Sequence, residues 1–268
     1  MTTFSAGLML LFVVALLCSA IGFKKYIWFI SIGYGFSIAG IGLFCLTMFK
    51  GIYDAGTIIL SSLLIVYGLR LGGYLLYRER RSESYNSNMK GEIKEGTEMK
   101  LYVKVAIWVS CALLYVFETA PIFYRLHNGV SSDAVAYIGA AIMLLGICFE
   151  SLADKQKSDA KKRDPKNFCS TGLYKIVRCP NYLGEMIFWT GVLVSGVTAL
   201  KTPGQWIIAL LGYLGIVYIM FSGARRLEIR QNKRYGRRKA YKEYVAKTPI
   251  LIPFVPLYSV EKYKWLVG

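Results

Sequence analysis

Long apolar segments joined by shorter polar ones run through most of the chain. A helix needs about 20 mainly apolar residues to cross roughly 30 Å of hydrocarbon. Seven segments meet this requirement: Phe4–Phe23, Tyr26–Met48, Thr57–Tyr77, Leu101–Tyr124, Ala134–Ala153, Tyr182–Leu200 and Gln205–Ser222. No segment alternates apolar and polar residues as a strand does. The pattern predicts an all-α, polytopic membrane protein with seven transmembrane helices, folded as a single membrane domain over residues 1–268.

The connecting segments are of two kinds, those rich in basic residues and those poor in them. The chain carries 33 Lys and Arg residues against 16 acids, a net charge of +17, although 55% of it is hydrophobic. Basic residues concentrate in 78–104, in 155–178 and after Arg225, while 50–56, 125–133 and 201–204 hold few. Basic loops stay cytosolic, so we predict an outside N-terminus and a cytosolic C-terminus, in a bacterial inner membrane or the endoplasmic reticulum. Ser82–Glu98 is predicted to be a polar loop, and the charge is expected to meet membrane lipids, not nucleic acid.

Cysteine and histidine usage argues against several catalytic centres. The six cysteines form no Cys-x-x-Cys pair, and His127 is the single histidine. We therefore expect no metal, and neither a zinc site nor a Ser-His-Asp triad. No Gly-x-Gly-x-x-Gly sequence follows a strand, so we expect no Rossmann domain.

Several candidate functional residues stand at the start of the sixth span. Pro180 suits the first turn of a helix, and a helix N-terminus beside Arg178 attracts anions. Asn181, Glu185 and Trp189 then share one helix face. An amide and a carboxylate together can bind a carboxamide, the group carried by nicotinamide. The same side chains can instead lock helices together, and the residues alone leave both interpretations open.

Two other spans carry polar side chains. Tyr67, Arg70 and Tyr74 share one face of the third span. A buried tyrosine hydroxyl there can donate to a ketone and stabilise a developing enolate. The alternatives are hydrogen bonds between helices and snorkelling of Arg70 toward the cytosol. Glu118 is the one acid well inside the fourth span, and it is a candidate proton carrier or polar anchor.

The end of the fifth span combines an acid with basic residues. Asp154 can bind ribose hydroxyls and Lys157 and Lys161 can bind phosphates, although Asp154 and Lys157 can also form a solvated ion pair. Tyr174 and Tyr235 lie among basic residues farther along. This mixture indicates contact with a flat anionic ligand or with acidic lipid headgroups. We assign cofactor binding to the half of the chain at 150–254.

Residues 172–185 resemble the steroid 5α-reductase superfamily, especially its branch of mostly bacterial membrane proteins that share the C-terminal domain. The family pattern has Gly-Leu-aromatic, then Arg or Ser, then Asn, Tyr or Phe, Gly and Glu. The matching residues are Gly172, Leu173, Tyr174, Arg178, Asn181, Tyr182, Gly184 and Glu185. The resemblance extends from Glu150 to Phe254, with a weaker match at 67–78.

The resemblance implies a seven-helix fold that encloses NADPH. It implies that Asn181 and Glu185 hold the nicotinamide end, and that Tyr67 polarises the substrate ketone. The predicted cofactor residues are Asp154, Lys157, Lys161, Tyr174, Arg178, Asn181, Tyr182, Glu185, Arg225 and Tyr235. Tyr67 and Glu118 are the predicted catalytic residues, and Arg70 and Tyr74 the predicted substrate residues.

Two departures from the family pattern matter. Cys179 stands where many relatives have histidine. The steroid reductases also pair their catalytic tyrosine with a glutamate on the second helix, whereas Tyr26–Met48 contains no acid. We therefore expect Glu118 or water to supply the proton.

These features predict an NADPH-dependent oxidoreductase that reduces the C=C bond of a lipid-soluble enone. One alternative resembles the isoprenylcysteine carboxyl methyltransferases, which use S-adenosylmethionine. Those enzymes share an Arg-His-Pro-x-Tyr-x-Gly motif, matched in part by Arg178 to Gly184, and a later Glu before Tyr-Gly, matched by Glu228 and Tyr235. The other alternative is a non-catalytic lipid-binding membrane protein.

Overall fold

The computed structural model describes residues 5–51, 54–81 and 99–267. Their α-helices are α1 Ala6–Ser19, α2 Ile32–Met48, α3 Ala55–Arg81, α4 Leu101–His127, α5 Ala134–Arg163, α6 Pro180–Gly196, α7 Pro203–Tyr235 and α8 Lys239–Lys247. Short 3₁₀ helices occupy Ala20–Phe23, Tyr26–Trp28 and Gly172–Lys175. The residues so described contain no strand. The all-α prediction is confirmed for this part of the chain.

Several helical segments have the length and composition of transmembrane helices. Six of the described ones qualify: Ala6–Phe23, Tyr26–Met48, Ala55–Arg81, Leu101–His127, Ala134–Arg163 and Pro203–Tyr235. The chain is therefore a multi-pass integral membrane protein. Helix α6 has 17 residues, a length of about 26 Å, which is short for a span. The seventh span and the orientation stay predictions.

The helix boundaries differ from the ends of the apolar segments. Helix α5 continues past Ala153 to Arg163, and α7 continues past Ser222 to Tyr235. Lys, Arg and Gln are good helix formers, so a helix can leave the apolar region without ending. Helix α6 begins at Pro180, as predicted. Phe4 and the predicted loop Ser82–Glu98 lie outside the described residues.

The chain divides into two compact units. The first comprises Met1–Ala140 and Val192–Tyr213, and the second comprises Ala141–Gly191 and Leu214–Gly268. Helices α1 to α4 belong to the first unit, and α8 with the 3₁₀ helix Gly172–Lys175 belongs to the second.

Glycines bring α2 and α3 into backbone contact in the first unit. A Cβ atom on Gly68 would lie 2.3 Å from the Gly35 carbonyl oxygen and 2.5 Å from the Ala39 nitrogen. A Cβ atom on Gly35 would in turn lie 2.6 Å from the Gly72 nitrogen. Small residues allow backbones to approach this closely. In lipid, close packing is a main source of the stability of helix association. This contact sets which α2 and α3 side chains are neighbours.

We expect Gly68→Ala to destabilise the protein by about 1–3 kcal/mol, because the added methyl group overpacks a backbone contact. Gly73→Ala on the same helix is the matched control, since nothing lies within 4 Å of its Cβ position. Thermal unfolding in detergent measures both. Equal melting temperatures for the two variants would contradict the α2–α3 contact.

A buried arginine organises one end of the first unit. Arg125 on α4 is 0% exposed. Its Nε donates to the Ser195 carbonyl at 2.9 Å, Nη1 to the Ser131 carbonyl at 2.8 Å and Nη2 to the Thr198 hydroxyl at 2.6 Å. Nη2 also lies 3.4 Å from Asp133. The sequence pattern placed Arg125 in a loop, which is wrong, because α4 continues to His127.

Helices α5 and α6 also meet through glycines, within the second unit. A Cβ atom on Gly146 would lie 2.5 Å from the Phe188 nitrogen, and one on Gly184 would lie 2.7 Å from the Glu150 nitrogen. As the residue number increases along α5, the residue number of its partner on α6 decreases, so the two helices run antiparallel. The next turn places Asp154 of α5 at the level of Asn181.

Candidate functional site

The predicted functional residues separate between the two units. Tyr67, Arg70, Tyr74 and Glu118 belong to the first unit, and all the predicted cofactor residues belong to the second. Among the described residues, no group of three or more His, Cys, Asp or Glu side chains could hold a metal ion. The predicted residues themselves offer hydroxyl, carboxylate, amide and cationic side chains.

Two tyrosines form the polar centre of the first group. The Tyr67 side chain is 0% exposed, and its hydroxyl lies 3.3 Å from the hydroxyl of Tyr34 on α2. This is a long hydrogen bond, and either oxygen can be the donor. The Tyr34 ring also packs on Tyr115 with a centroid distance of 5.0 Å. The Gly35–Gly68 contact, one residue along each helix, brings the two hydroxyls together.

The other members of the first group lie along α3 and α4. The Tyr74 ring lies between two cations of its own helix, with the guanidinium carbons of Arg70 and Arg78 5.7 and 5.5 Å from its centroid. Glu118 is buried on α4, and its backbone nitrogen would lie 2.5 Å from a Cβ atom on Gly212. A substrate role for Arg70 and Tyr74, and a catalytic role for Glu118, stay predictions.

An amide and three buried acids lie on α5 and α6, the two helices that meet in the second unit. Glu150, Asp154 and Glu185 are 3%, 7% and 7% exposed. The Asn181 Oδ1 atom is buried and accepts no hydrogen bond among the described residues. Leaving a buried acceptor unsatisfied costs about 1–3 kcal/mol. The position therefore suits a ligand that brings an N–H donor, as a carboxamide does.

Three cations surround a buried tyrosine at the far end of α7. The charged groups of Lys161, Arg234 and Arg238 lie 5.5, 5.4 and 5.3 Å from the Tyr235 ring centroid. We call these four residues the cation cluster. Lys161 Nζ also lies 3.0 Å from the Tyr235 hydroxyl and donates to the Asn167 carbonyl. Three like charges around one ring favour an anionic ligand, because the ligand relieves their repulsion.

Aromatic rings form a wall beside the cation cluster. The Phe168 ring packs against Tyr235, Tyr241 and Tyr244 with centroid distances of 5.8, 5.2 and 5.4 Å. The Tyr244 hydroxyl donates to the Tyr174 carbonyl at 2.7 Å. Burial raises the pKa of Tyr241 to about 12, so its hydroxyl stays neutral and donates to Asn232 at 2.9 Å.

The motif around Arg178 is held by residues far along the chain. Arg178 Nη2 forms an ion pair with Glu228 at 2.6 Å and donates to the Tyr258 carbonyl at 2.8 Å. Both side chains are 1% exposed. The backbone nitrogens of Arg178 and Cys179 donate to the carbonyls of Pro249 and Ile250 at 2.9 and 3.0 Å. Arg178 therefore fixes the start of α6 in place.

Other motif residues have structural partners that the sequence pattern did not reveal. Gly172 has a φ of +62°, and a Cβ atom there would lie 2.4 Å from Gln156 Oε1. Tyr182 packs its ring against Gly223 of α7. Burial raises the pKa of the Cys179 thiol to about 12, so this cysteine stays protonated at neutral pH.

The sequence interpretation missed Tyr34 and the pairing of Glu228 with Arg178. Tyr34 lies in a span without acids, and its hydroxyl can share a proton in place of an acid. The motif pattern explains Glu228 only as a motif element, yet a lone acid among basic residues, one turn past Arg225, indicates a buried ion pair. The Tyr34–Tyr67 and Arg178–Glu228 contacts join residues far apart in sequence.

A known protein family matches most of the chain. The profile of a family described as "Protein of unknown function (DUF1295)" matches residues 18–248. No curated protein and no solved structure matches the chain.

Proposed function

Because the chain belongs to the DUF1295 family, which is associated with steroid 5α-reductase-like proteins, we propose that it is an NADPH-dependent reductase of the C=C bond of a lipid-soluble enone. The observation that carries the proposal is the buried Asn181 Oδ1 atom, which accepts no hydrogen bond among the described residues and lies one helical turn before buried Glu185. An amide acceptor next to carboxylates suits the carboxamide of a nicotinamide ring. Membership of the steroid 5α-reductase superfamily is part of this proposal.

The cation cluster supports binding of a dinucleotide that carries an extra phosphate, as NADPH does. Lys161, Arg234 and Arg238 around Tyr235 offer three positive charges to phosphate oxygens. Arginine donates two parallel hydrogen bonds to phosphate, which makes such a cluster selective for that group. Lys157 and Arg225 add positive charge in the same unit, and Arg178, paired with Glu228, holds the start of α6. Tyr174 and Tyr182 belong to the same proposed cofactor region.

The remaining residues bind the substrate and handle its proton. NADPH, when bound, supplies a hydride to the β-carbon of the enone. Tyr67 donates a hydrogen bond to the carbonyl oxygen and stabilises the negative charge that develops there. Tyr34 orients the Tyr67 hydroxyl from 3.3 Å away. Glu118 or a water molecule delivers the proton to the α-carbon, so hydride and proton together saturate the bond.

Nucleotide-dependent thermal stability tests the proposal. At 100 times its dissociation constant, a ligand stabilises the folded state by about 2.7 kcal/mol. We expect NADPH to raise the melting temperature of the full chain in nanodiscs, and S-adenosylmethionine to leave it unchanged. Asn181→Ala should lose most of this shift, because it removes the acceptor for the carboxamide.

Thr190→Ala on the same helix is the matched control. Its hydroxyl donates to the Met186 carbonyl one turn away, at 2.7 Å. We expect the control to keep the full NADPH shift. A shift with S-adenosylmethionine instead of NADPH would favour a methyltransferase, and no shift with either would favour a lipid-binding protein without a nucleotide.

A further inference from the structure

The C-terminal segment Val260–Val267, here called the tail, runs back along α7 toward its apolar part. The Val260 nitrogen donates to Glu228 at 2.8 Å, and Arg225 donates to the carbonyls of Glu261 and Leu266 at 3.0 and 3.2 Å. The Tyr218 hydroxyl then donates to the Trp265 carbonyl at 2.8 Å. The start of the tail therefore meets Glu228, and its far end reaches Tyr218, which lies ten residues earlier on α7.

The last contact lies within the apolar part of a candidate span. Tyr218 precedes Arg225 by seven residues, which is about 10 Å along a helix. Leu214 and Ile219 of α7, near Tyr218, are 60% and 40% exposed. On a helix that crosses a membrane, such exposed apolar side chains face lipid. The tail therefore ends among lipid-facing residues.

The tail itself has the composition of a membrane-interface anchor. Leu266 is 2% exposed and packs inward, whereas Trp265 is 64% and Val267 75% exposed. The Trp265 ring stacks on Tyr218 with a centroid distance of 6.2 Å. Tryptophan and tyrosine favour the membrane–water interface, where their rings bury apolar area and keep a polar edge hydrated.

Positive charge accompanies these apolar side chains. Lys262 and Lys264 are exposed on the same tail. Lysine stems lie along apolar surface while their ammonium groups reach the headgroups, and each such charge strengthens binding to anionic lipid. We propose that the tail binds the membrane interface near Arg225, where α7 leaves its apolar part. Trp265 lies in the lipid, and the two lysines contact anionic phospholipid headgroups.

The proposed lipid site has a consequence for the α6 motif. The tail contacts the Arg178–Glu228 pair through the Val260 nitrogen, and the Tyr258 carbonyl, two residues before the tail, accepts from Arg178. Lipid bound to the tail therefore holds the Val260 nitrogen, which donates to the partner of Arg178. This inference is independent of the nucleotide and of the reaction proposed above.

Tryptophan quenching in lipid tests the position of Trp265. The chain has five tryptophans, so the signal of Trp265 is the difference between the full chain and its Trp265→Phe variant in nanodiscs. We expect lipids brominated near the headgroup end of the acyl chain to quench this difference signal more than lipids brominated near the chain terminus. Quenching by aqueous acrylamide with no quenching by either brominated lipid would overturn the proposal.

Phosphatidylglycerol titration into detergent-purified protein tests the two lysines, with the Trp265 difference signal as the readout. We expect Lys262→Gln/Lys264→Gln to weaken the apparent affinity by about fivefold per lysine removed. Lys239→Gln/Lys242→Gln removes the same charge from exposed positions on α8 and should leave the affinity unchanged. An equal loss in both double variants would mean diffuse attraction and would overturn a site on the tail.

Discussion

Tyr67→Phe is expected to lower kcat/KM for enone reduction by about 10²–10³-fold, the usual effect of removing one donor to a developing oxyanion. The ring is fully buried, and phenylalanine preserves its packing, so folding and NADPH binding should be retained. NADPH consumption, followed by absorbance with a panel of lipid-soluble enones that includes a steroid enone, measures the loss. Thermal shift with NADPH measures retention of cofactor binding.

Two further variants test whether the loss of activity is specific to the Tyr67 hydroxyl. Tyr34→Phe removes an orienting hydrogen bond and should cost roughly twofold to tenfold, since such a bond contributes about 0.5–1.5 kcal/mol. Tyr77→Phe, on the same helix with its side chain 59% exposed, should react like the unaltered chain. Unchanged turnover in Tyr67→Phe would remove Tyr67 from the mechanism while leaving the nucleotide proposal standing.

Arg178→Met should destabilise the protein by about 3–5 kcal/mol, the cost of leaving one partner of a buried ion pair uncompensated. Glu228 is 1% exposed, and its other carboxylate oxygen already accepts from the Val260 nitrogen. Unfolding by SDS from mixed micelles, without nucleotide, measures the free energy.

The double variant Arg178→Met/Glu228→Met distinguishes the cost of an unpaired buried charge from the cost of lost packing. Replacing both partners of a buried pair with apolar side chains is often nearly neutral, so we expect it to recover most of the stability. Lys162→Met tests an exposed pair, in which Lys162 lies 3.9 Å from Asp159, and should cost roughly 0–1 kcal/mol. A double variant as unstable as Arg178→Met would mean that the contacts to Tyr258 and Val260 dominate.

The pairing of Tyr34 with Tyr67 addresses the missing acid on the second helix. The resemblance to steroid reductases predicts a glutamate there, whereas this chain presents a tyrosine hydroxyl from α2 to the hydroxyl of Tyr67. A tyrosine can share or orient a proton but carries no negative charge at neutral pH. Under the proposed function, Tyr34 therefore orients Tyr67, and delivery of the proton falls to Glu118 or to water.

Much of the helical architecture follows from local sequence. Apolar runs of membrane-spanning length predict helices because an isolated backbone must satisfy its own hydrogen bonds in lipid. Pro180 marked the start of α6 because proline lacks the donor that a first turn does not use. The ends of α5 and α7 were less predictable, since Arg and Lys end an apolar run without ending a helix.

The sequence by itself determined the membrane class, the positions of the helices and the identity of the polar side chains available for chemistry. Only the tertiary structure decided which of them meet: Tyr34 with Tyr67, Arg178 with Glu228, and the tail with Tyr218. The physical reason is that the spacing of residues along a helix shows only which of them share a face of that one helix. Partners across helices depend on the register at which backbones touch, and here glycines such as Gly68 and Gly184 set that register.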